Sequence, residues 1–282
     1  DQLQPLARVI EDGLWKHKLK DMPFDTHKVN QGVGGLLAGN AGAMGAGILA
    51  GHAAMRCGLG KAFLVCPEAF HSSVFEAVPE LMPRSFSWLE NEGFEAGLTA
   101  WAAGPGMGRN SESLKALEHV LTAPGAKVLD ADALRLLAEH PNLWAYNNGH
   151  WILTPHLGEF RALVGAPKLG ALEANRMALQ WAKEKRVVLV LKGPRTLVTD
   201  GQEQAYNASG NAGLATAGSG DVLTGMILAA LGQGMPVFEA ACLAVQLHGN
   251  AADLWAEKYS PRSLMASDII GLLPKVMFDK KV

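Results

Sequence analysis

Five consecutive apolar residues, Val187-Val-Leu-Val-Leu191, stand between Arg186 and Lys192. An extended segment sends successive side chains to opposite faces, so a run with no polar alternation needs apolar cover on both sides. That requirement selects a strand inside a largely parallel sheet with helices above and below. The rest of the chain repeats the pattern. Gly34–Ala38, Lys61–Cys66, Leu98–Ala103, Lys127–Asp130 and Trp151–Thr154 read as further strands. Between and after them, Ala46–Gly58, Ser111–Leu121, Asp132–Glu139, Leu172–Glu184, Asp221–Leu231 and Val237–Ala256 read as helices. Thr196–Thr199, turning at Asp200-Gly201 into Gln204–Tyr206, reads as a hairpin. Strands alternating with helices imply an α/β fold in three layers.

Composition agrees with a large folded core and excludes several functions. Of 282 residues, 49% are hydrophobic and 18% charged, which is incompatible with a disordered chain. A net charge of −2 gives no basic surface for nucleic acid. Residues 29–55 contain no charged side chain and are long enough to suggest a membrane span. Eight glycines, with Asn30, Gln31, Asn40 and His52, divide that stretch into a strand, a loop and a helix instead. Three cysteines without a C-x-x-C pair argue against disulfides or a zinc site, and point to a reducing, cytoplasmic setting.

In sheets of this kind ligands collect beyond the carboxyl ends of the strands. Five segments sit there: the loop at 39–45, Gly104-Pro-Gly-Met-Gly108, Pro155-His-Leu-Gly-Glu159, Lys192-Gly-Pro-Arg-Thr196 and Gly210–Asp221. The last is the most informative. Gly218, Ser219 and Gly220 lead into an apolar helix, whose positive end and free N–H groups would form an anion hole. Asp221 at its mouth is placed to take a proton from an attacking hydroxyl, although Asp at a helix start is also an ordinary cap. Lys192 and Arg195, with Gly193, Pro194 and Thr196, are suited to phosphates or to a plain turn. His156 is a candidate contact or a packed histidine. Glu159 is a candidate for holding Mg²⁺ through a water, or a helix-start carboxylate. Asp130 and Asp132 have no assigned role. Neither a P-loop nor a G-x-G-x-x-G turn after a strand is present.

Taken in order, these segments resemble one family closely. His27-Lys28, Gly45-Ala46-Gly47, Arg56-Cys-Gly-Leu-Gly60, Gly104–Gly108, Asp130-Ala-Asp-Ala-Leu134, Thr154–Glu159, Lys192–Thr196, Asn211–Leu223 and Ser267-Asp268 are similar to the ADP-dependent NAD(P)H-hydrate dehydratases, a branch of the ribokinase-like superfamily. Ser219 stands where that superfamily more often has Thr. The resemblance implies a ribokinase-like domain over 27–282, with 1–26 an N-terminal extension or linker. It implies dehydration of (6S)-NADHX or NADPHX to NADH or NADPH, with ADP as phosphoryl donor and AMP and phosphate released; ATP is an open alternative donor. Mg²⁺ and a homotetramer are implied as well. At matching positions, Ala46, Gly108, His156 and Asp221 would contact the hydrate, and Lys192, Gly193, Pro194, Arg195, Thr196 and Gly220 the nucleotide. A small-molecule kinase built on the same anion hole, and a non-catalytic nucleotide binder, are the competing readings.

Overall fold

The computed structural model describes residues 7–10, 24–25 and 27–278. Ten strands form one sheet: β1 (Arg8–Ile10), β2 (Val33–Leu37), β3 (Lys61–Val65), β4 (Leu81–Arg84), β5 (Ala100–Ala103), β6 (Ala126–Leu129), β7 (Trp151–Leu153), β8 (Val188–Leu191), β9 (Leu197–Thr199) and β10 (Gln204–Asn207). Their order is β1-β10-β9-β8-β7-β6-β5-β2-β3-β4. Neighbours pair in parallel except β9, which runs against both β8 and β10. The helices are α1 (Met44–Arg56), α2 (His71–Ala77), α3 (Ser111–Thr122), α4 (Ala131–Glu139), α5 (Leu157–Leu163), α6 (Ala171–Lys185), α7 (Ser219–Gly232), α8 (Val237–Ala256) and α9 (Ala266–Met277).

Two apolar layers cover the sheet. Val188 and Val190 of β8 face the layer made with α1, α7, α8 and α9, while Leu189 and Leu191 face the layer made with α3, α4, α5 and α6. This is the two-sided burial that the unbroken run at 187–191 demands. Each fully buried Leu or Val of these layers contributes about 1.5–3 kcal/mol. α7 is apolar all round because it lies under other helices, and it packs tightly on α1: a Cβ on Gly225 would collide with the Ala50 carbonyl oxygen. That close approach fixes where the first turn of α7 points.

Chain order reverses between β2 and β5, and the crevice of such a sheet opens where the order reverses. The loops leaving these two strands are bonded there, Gly39 N donating to Pro105 O at 2.8 Å.

Most expected elements are present with ends shifted by one or two residues. Five were not expected. β4 contains Pro83, which argues against a strand but is tolerated at a sheet edge. α5 is short, and Pro274 interrupts the sequence of α9. α2 follows a single 3₁₀ turn and has one fully buried residue, Val74, too weak a period to see. Within the stretch expected to be an extension, Arg8–Ile10 pair with β10 and Ile10 is buried; residues 1–6, 11–23 and 26 lie outside the described residues.

Candidate functional site

The glycine segment before α7 is tied down from its amino side. Asn211 Oδ1 accepts from Gly213 N at 3.0 Å, and its Nδ2 donates to Ala252 O at 2.9 Å. Gly210 N donates to Asp253 Oδ2 at 2.7 Å. Gly218 then adopts φ 86°, a conformation that favours glycine, with Leu49 of α1 filling the place of its missing side chain. The turn is closed by Ser219 N donating to Thr216 O at 3.3 Å and Val222 N to Gly218 O at 3.0 Å. Among the described residues, no protein acceptor binds the amides of Gly218, Gly220 or Asp221. These are the orphan donors of a helix start, at the positive end of a 14-residue helix. Ser219 turns its side chain inward, where His248 Nε2 lies 3.2 Å from its hydroxyl and 3.0 Å from its carbonyl oxygen. Burial pushes the His248 imidazole down to about 4, so it is neutral there.

Asp221 is half-buried, and its carboxylate has no hydrogen bond among the described residues. Burial raises its pKa to about 6; the neighbouring Asp130 adds to the rise and Lys192 opposes it. Lys192 leaves the end of β8, donating its N–H to Pro155 O at 2.8 Å and pairing with His156 across the strand ends. Its Nζ reaches Asp130 Oδ1 at 2.8 Å. Burial works against the ammonium, but the carboxylates of Asp130, Glu159 and Asp221 more than offset it, and the net shift is upward. Asp130 is 1% exposed, and its second oxygen accepts from Thr224 Oγ1 at 2.9 Å. Gly220 comes close to both partners: a Cβ there would sit 3.3 Å from Lys192 Nζ and 3.7 Å from Asp130 Oδ2.

The other candidates line the same edge. Gly193, Pro194 and Arg195 are exposed on a turn that Thr196 closes, its Oγ1 donating to Gly193 O at 3.2 Å. Gly108 N donates to Asp132 Oδ2 at 2.9 Å, and Asn40 Nδ2 to Met107 O at 3.0 Å. The 104–108 loop lies on the first turn of α1, since a Cβ on Gly106 would fall 3.2 Å from Ala46 Cβ. His156 and Glu159 cap α5 reciprocally. Glu159 N donates to His156 Nδ1 at 3.1 Å, and His156 N to Glu159 Oε2 at 2.9 Å. The helix-start reading of Glu159 is therefore part of the geometry, and the residue is 6% exposed. Gly220 lies against the Lys192 ammonium, and Asp221, the next residue, feels that lysine through its charge. Ala46 and Gly108 belong to a neighbouring wall, joined to the first group where Leu49 touches Gly218.

Sequence reasoning gave Asp130 and Asp132 no role and did not single out Thr224 or His248. Thr224 carries a usable signal, because a residue three places after Asp221 shares its helix face. His248 carries none.

Residues 34–275 match the family described as NAD(P)H-hydrate dehydratase. The chain belongs to that family. An ADP-dependent (S)-NAD(P)H-hydrate dehydratase of Bacillus subtilis is 35% identical, over 92% of this chain and 93% of the relative. A bifunctional NAD(P)H-hydrate repair enzyme of Vibrio cholerae is 37% identical over 94% of this chain, which spans about half of that longer relative, 54%. A crystal structure of the ADP/ATP-dependent NAD(P)H-hydrate dehydratase from Bacillus subtilis, co-crystallized with ATP/Mg²⁺, superposes with TM-score 0.81 at 31% identity, covering 96% of this chain and 97% of that one. The family's three-layer arrangement is the ribokinase-like fold.

Proposed function

We propose that this NAD(P)H-hydrate dehydratase family member removes water from the S form of NADHX or NADPHX, using ADP as phosphoryl donor. The carrying observation is Asp221: a half-buried carboxylate without a hydrogen bond, next to unbonded helix-start amides. Hydroxide leaves poorly, and phosphorylation converts the ring hydroxyl into a good leaving group. In the proposed sequence Asp221 takes the hydroxyl proton while the oxygen attacks the β-phosphorus of ADP and AMP departs. The amides of Gly218 and Gly220, with Lys192, gather the charge on the transferring group; the Ser219 amide, expected to join them, is already given to Thr216 O and takes no part. Loss of phosphate from the ring, with a proton leaving the neighbouring ring carbon to the departing phosphate or solvent, then restores the double bond of NADH or NADPH. Gly193 to Thr196 and Gly220 border the nucleotide; Ala46, Gly108 and His156 border the hydrate.

Among the described residues no three His, Cys, Asp or Glu side chains gather as a metal site. The described residues thus offer no all-protein cage for Mg²⁺. The ion is proposed to arrive on the nucleotide phosphates, with Glu159 limited to a contact through water. No step is assigned to it. A homotetramer and a cytoplasmic location complete the proposal; light scattering and fractionation test them. No helix among the described residues is long and apolar enough to cross a membrane.

The deciding experiment incubates the protein with (S)-NADHX and ADP-Mg²⁺ and follows absorbance at about 340 nm, the band of the reduced nicotinamide that dehydration rebuilds. Return of that absorbance, with AMP and phosphate formed in equal amounts, is expected. A stable phosphate ester with no absorbance gain would make the protein a kinase instead.

A further inference from the structure

We propose that Asp130 is a positioning residue: its buried carboxylate ties Lys192 to the opening turns of α7 and supplies the negative charge that Asp221 faces. The inference rests on the reading of Asp221 as the base and goes beyond it. Three chain segments meet at this one side chain. Asp130 follows the end of β6, Lys192 the end of β8, and Thr224 lies in the second turn of α7. Both carboxylate oxygens are engaged, Oδ1 by Lys192 Nζ at 2.8 Å and Oδ2 by Thr224 Oγ1 at 2.9 Å. A carboxylate on a residue at 1% exposure is stable only with such partners.

The consequence for the site is electrostatic. Lys192 alone would draw Asp221 toward permanent ionisation and blunt it as a base. Asp130 neutralises much of that lysine and adds its own field, so the carboxylate at the mouth of the anion hole retains affinity for a proton. Among the described residues, Asp130 and Lys192 are the charges that act on Asp221, and Arg195 lies exposed on the turn after Lys192. On α5, Glu159 faces Lys192 and caps its own helix. On α8, His248 is bound to Ser219 and neutral. On α9, Asp268 accepts from Met265 N, and on α1, Arg56 donates to His52.

The test is a ¹³C-carboxyl titration of Asp221 in the full chain, the resonance assigned by its loss in Asp221→Asn, beside the pH profile of kcat/KM. Asp130→Asn retains both hydrogen bonds, since the amide oxygen accepts from Lys192 and its NH₂ donates to the Thr224 hydroxyl. Only the charge is lost. The Asp221 midpoint and the acid limb of kcat/KM are expected to move down together by about one pH unit. Asp130→Glu, which retains the charge, is expected to restore most of the shift. An unmoved midpoint in Asp130→Asn overturns the proposal. If that variant does not melt cooperatively, Lys192→Met is compared with Asp130→Asn/Lys192→Met, which removes the buried pair together; Asp221 must titrate lower in the double variant, and equal midpoints reject the idea. The titration needs no turnover, so an inactive wild type would sink the dehydratase reading without deciding this one.

Discussion

Lys192 Nζ lies 2.8 Å from Asp130 Oδ1, within a site that also holds Asp221, so the lysine proposed to meet phosphate is already paired inside the protein. In the absence of nucleotide the pair holds the ammonium in place; incoming phosphate finds it oriented and needs no search through rotamers. The same pairing makes the lysine expensive to remove. Lys192→Ala leaves Asp130 buried with one partner, and breaking one side of a buried pair costs about 3–5 kcal/mol. Calorimetry is expected to show a lower melting point, and titrations a loss of ADP affinity larger than the loss of hydrate affinity. Equal losses for both ligands would contradict the nucleotide role.

Asp221→Asn retains the shape of the helix start and removes the proposed base. It is expected to lower kcat by about 10²–10⁴ while ADP still binds, as measured by single-turnover kinetics and equilibrium titration. Near-normal turnover would transfer the role to another group.

As the proposed base, the same carboxylate is expected to set an acid limit on activity. A base must be deprotonated, and Asp221 is raised to about 6, so kcat/KM should fall as pH drops through about 6. The raised value also bears on stability. Its unfolded counterpart ionises near 3.8, so the folded state binds the extra proton and loses stability as pH rises from 3.8 through 6. Asp221→Asn is therefore expected to melt higher than wild type at pH 7, with the gap closing below pH 4. A lower melting point at pH 7 would show the carboxylate to be a stabilising cap.

His248 acts with the opposite sign. Its folded value of about 4 lies below the 6.5 of the free imidazole, so the unfolded chain binds more protons between them and stability falls as pH drops from 6.5 to 4. Urea midpoints of wild type and His248→Gln over that range test this. The variant should show the shallower decline, and parallel curves would remove His248 from the account.

Gly225→Ala ought to help a helix by about 1 kcal/mol on intrinsic propensity. Here the added methyl meets the Ala50 carbonyl, backbone that cannot rotate away. We expect a loss of about 1–3 kcal/mol in denaturant unfolding, with activity falling too because the start of α7 moves off the site. A stabilised variant would show that the contact between α1 and α7 is loose.

Much of this was legible in the chain itself. The apolar run at 187–191 demanded cover on two faces, and the sheet provides it through Val188 and Val190 on one side and Leu189 and Leu191 on the other. The Gly218-Ser-Gly-Asp221 segment announced a helix start with free amides, because glycine tolerates the positive φ found at 218. Capping chemistry was less distinct. His156 and Glu159 looked like site residues, and they also satisfy each other at the start of α5, since the side chains that cap helices are those that serve ligands.

The sequence by itself determined periodicity, turns and local donors, all set by neighbours a few residues apart. It placed Asp221, Lys192 and the glycines on one sheet edge. Only the tertiary structure decided that Asp130, 62 positions before Lys192 and 94 before Thr224, is the partner of both. Nothing local marks such a carboxylate, because its burial and its charge balance come from strands and a helix that meet only once the sheet has closed.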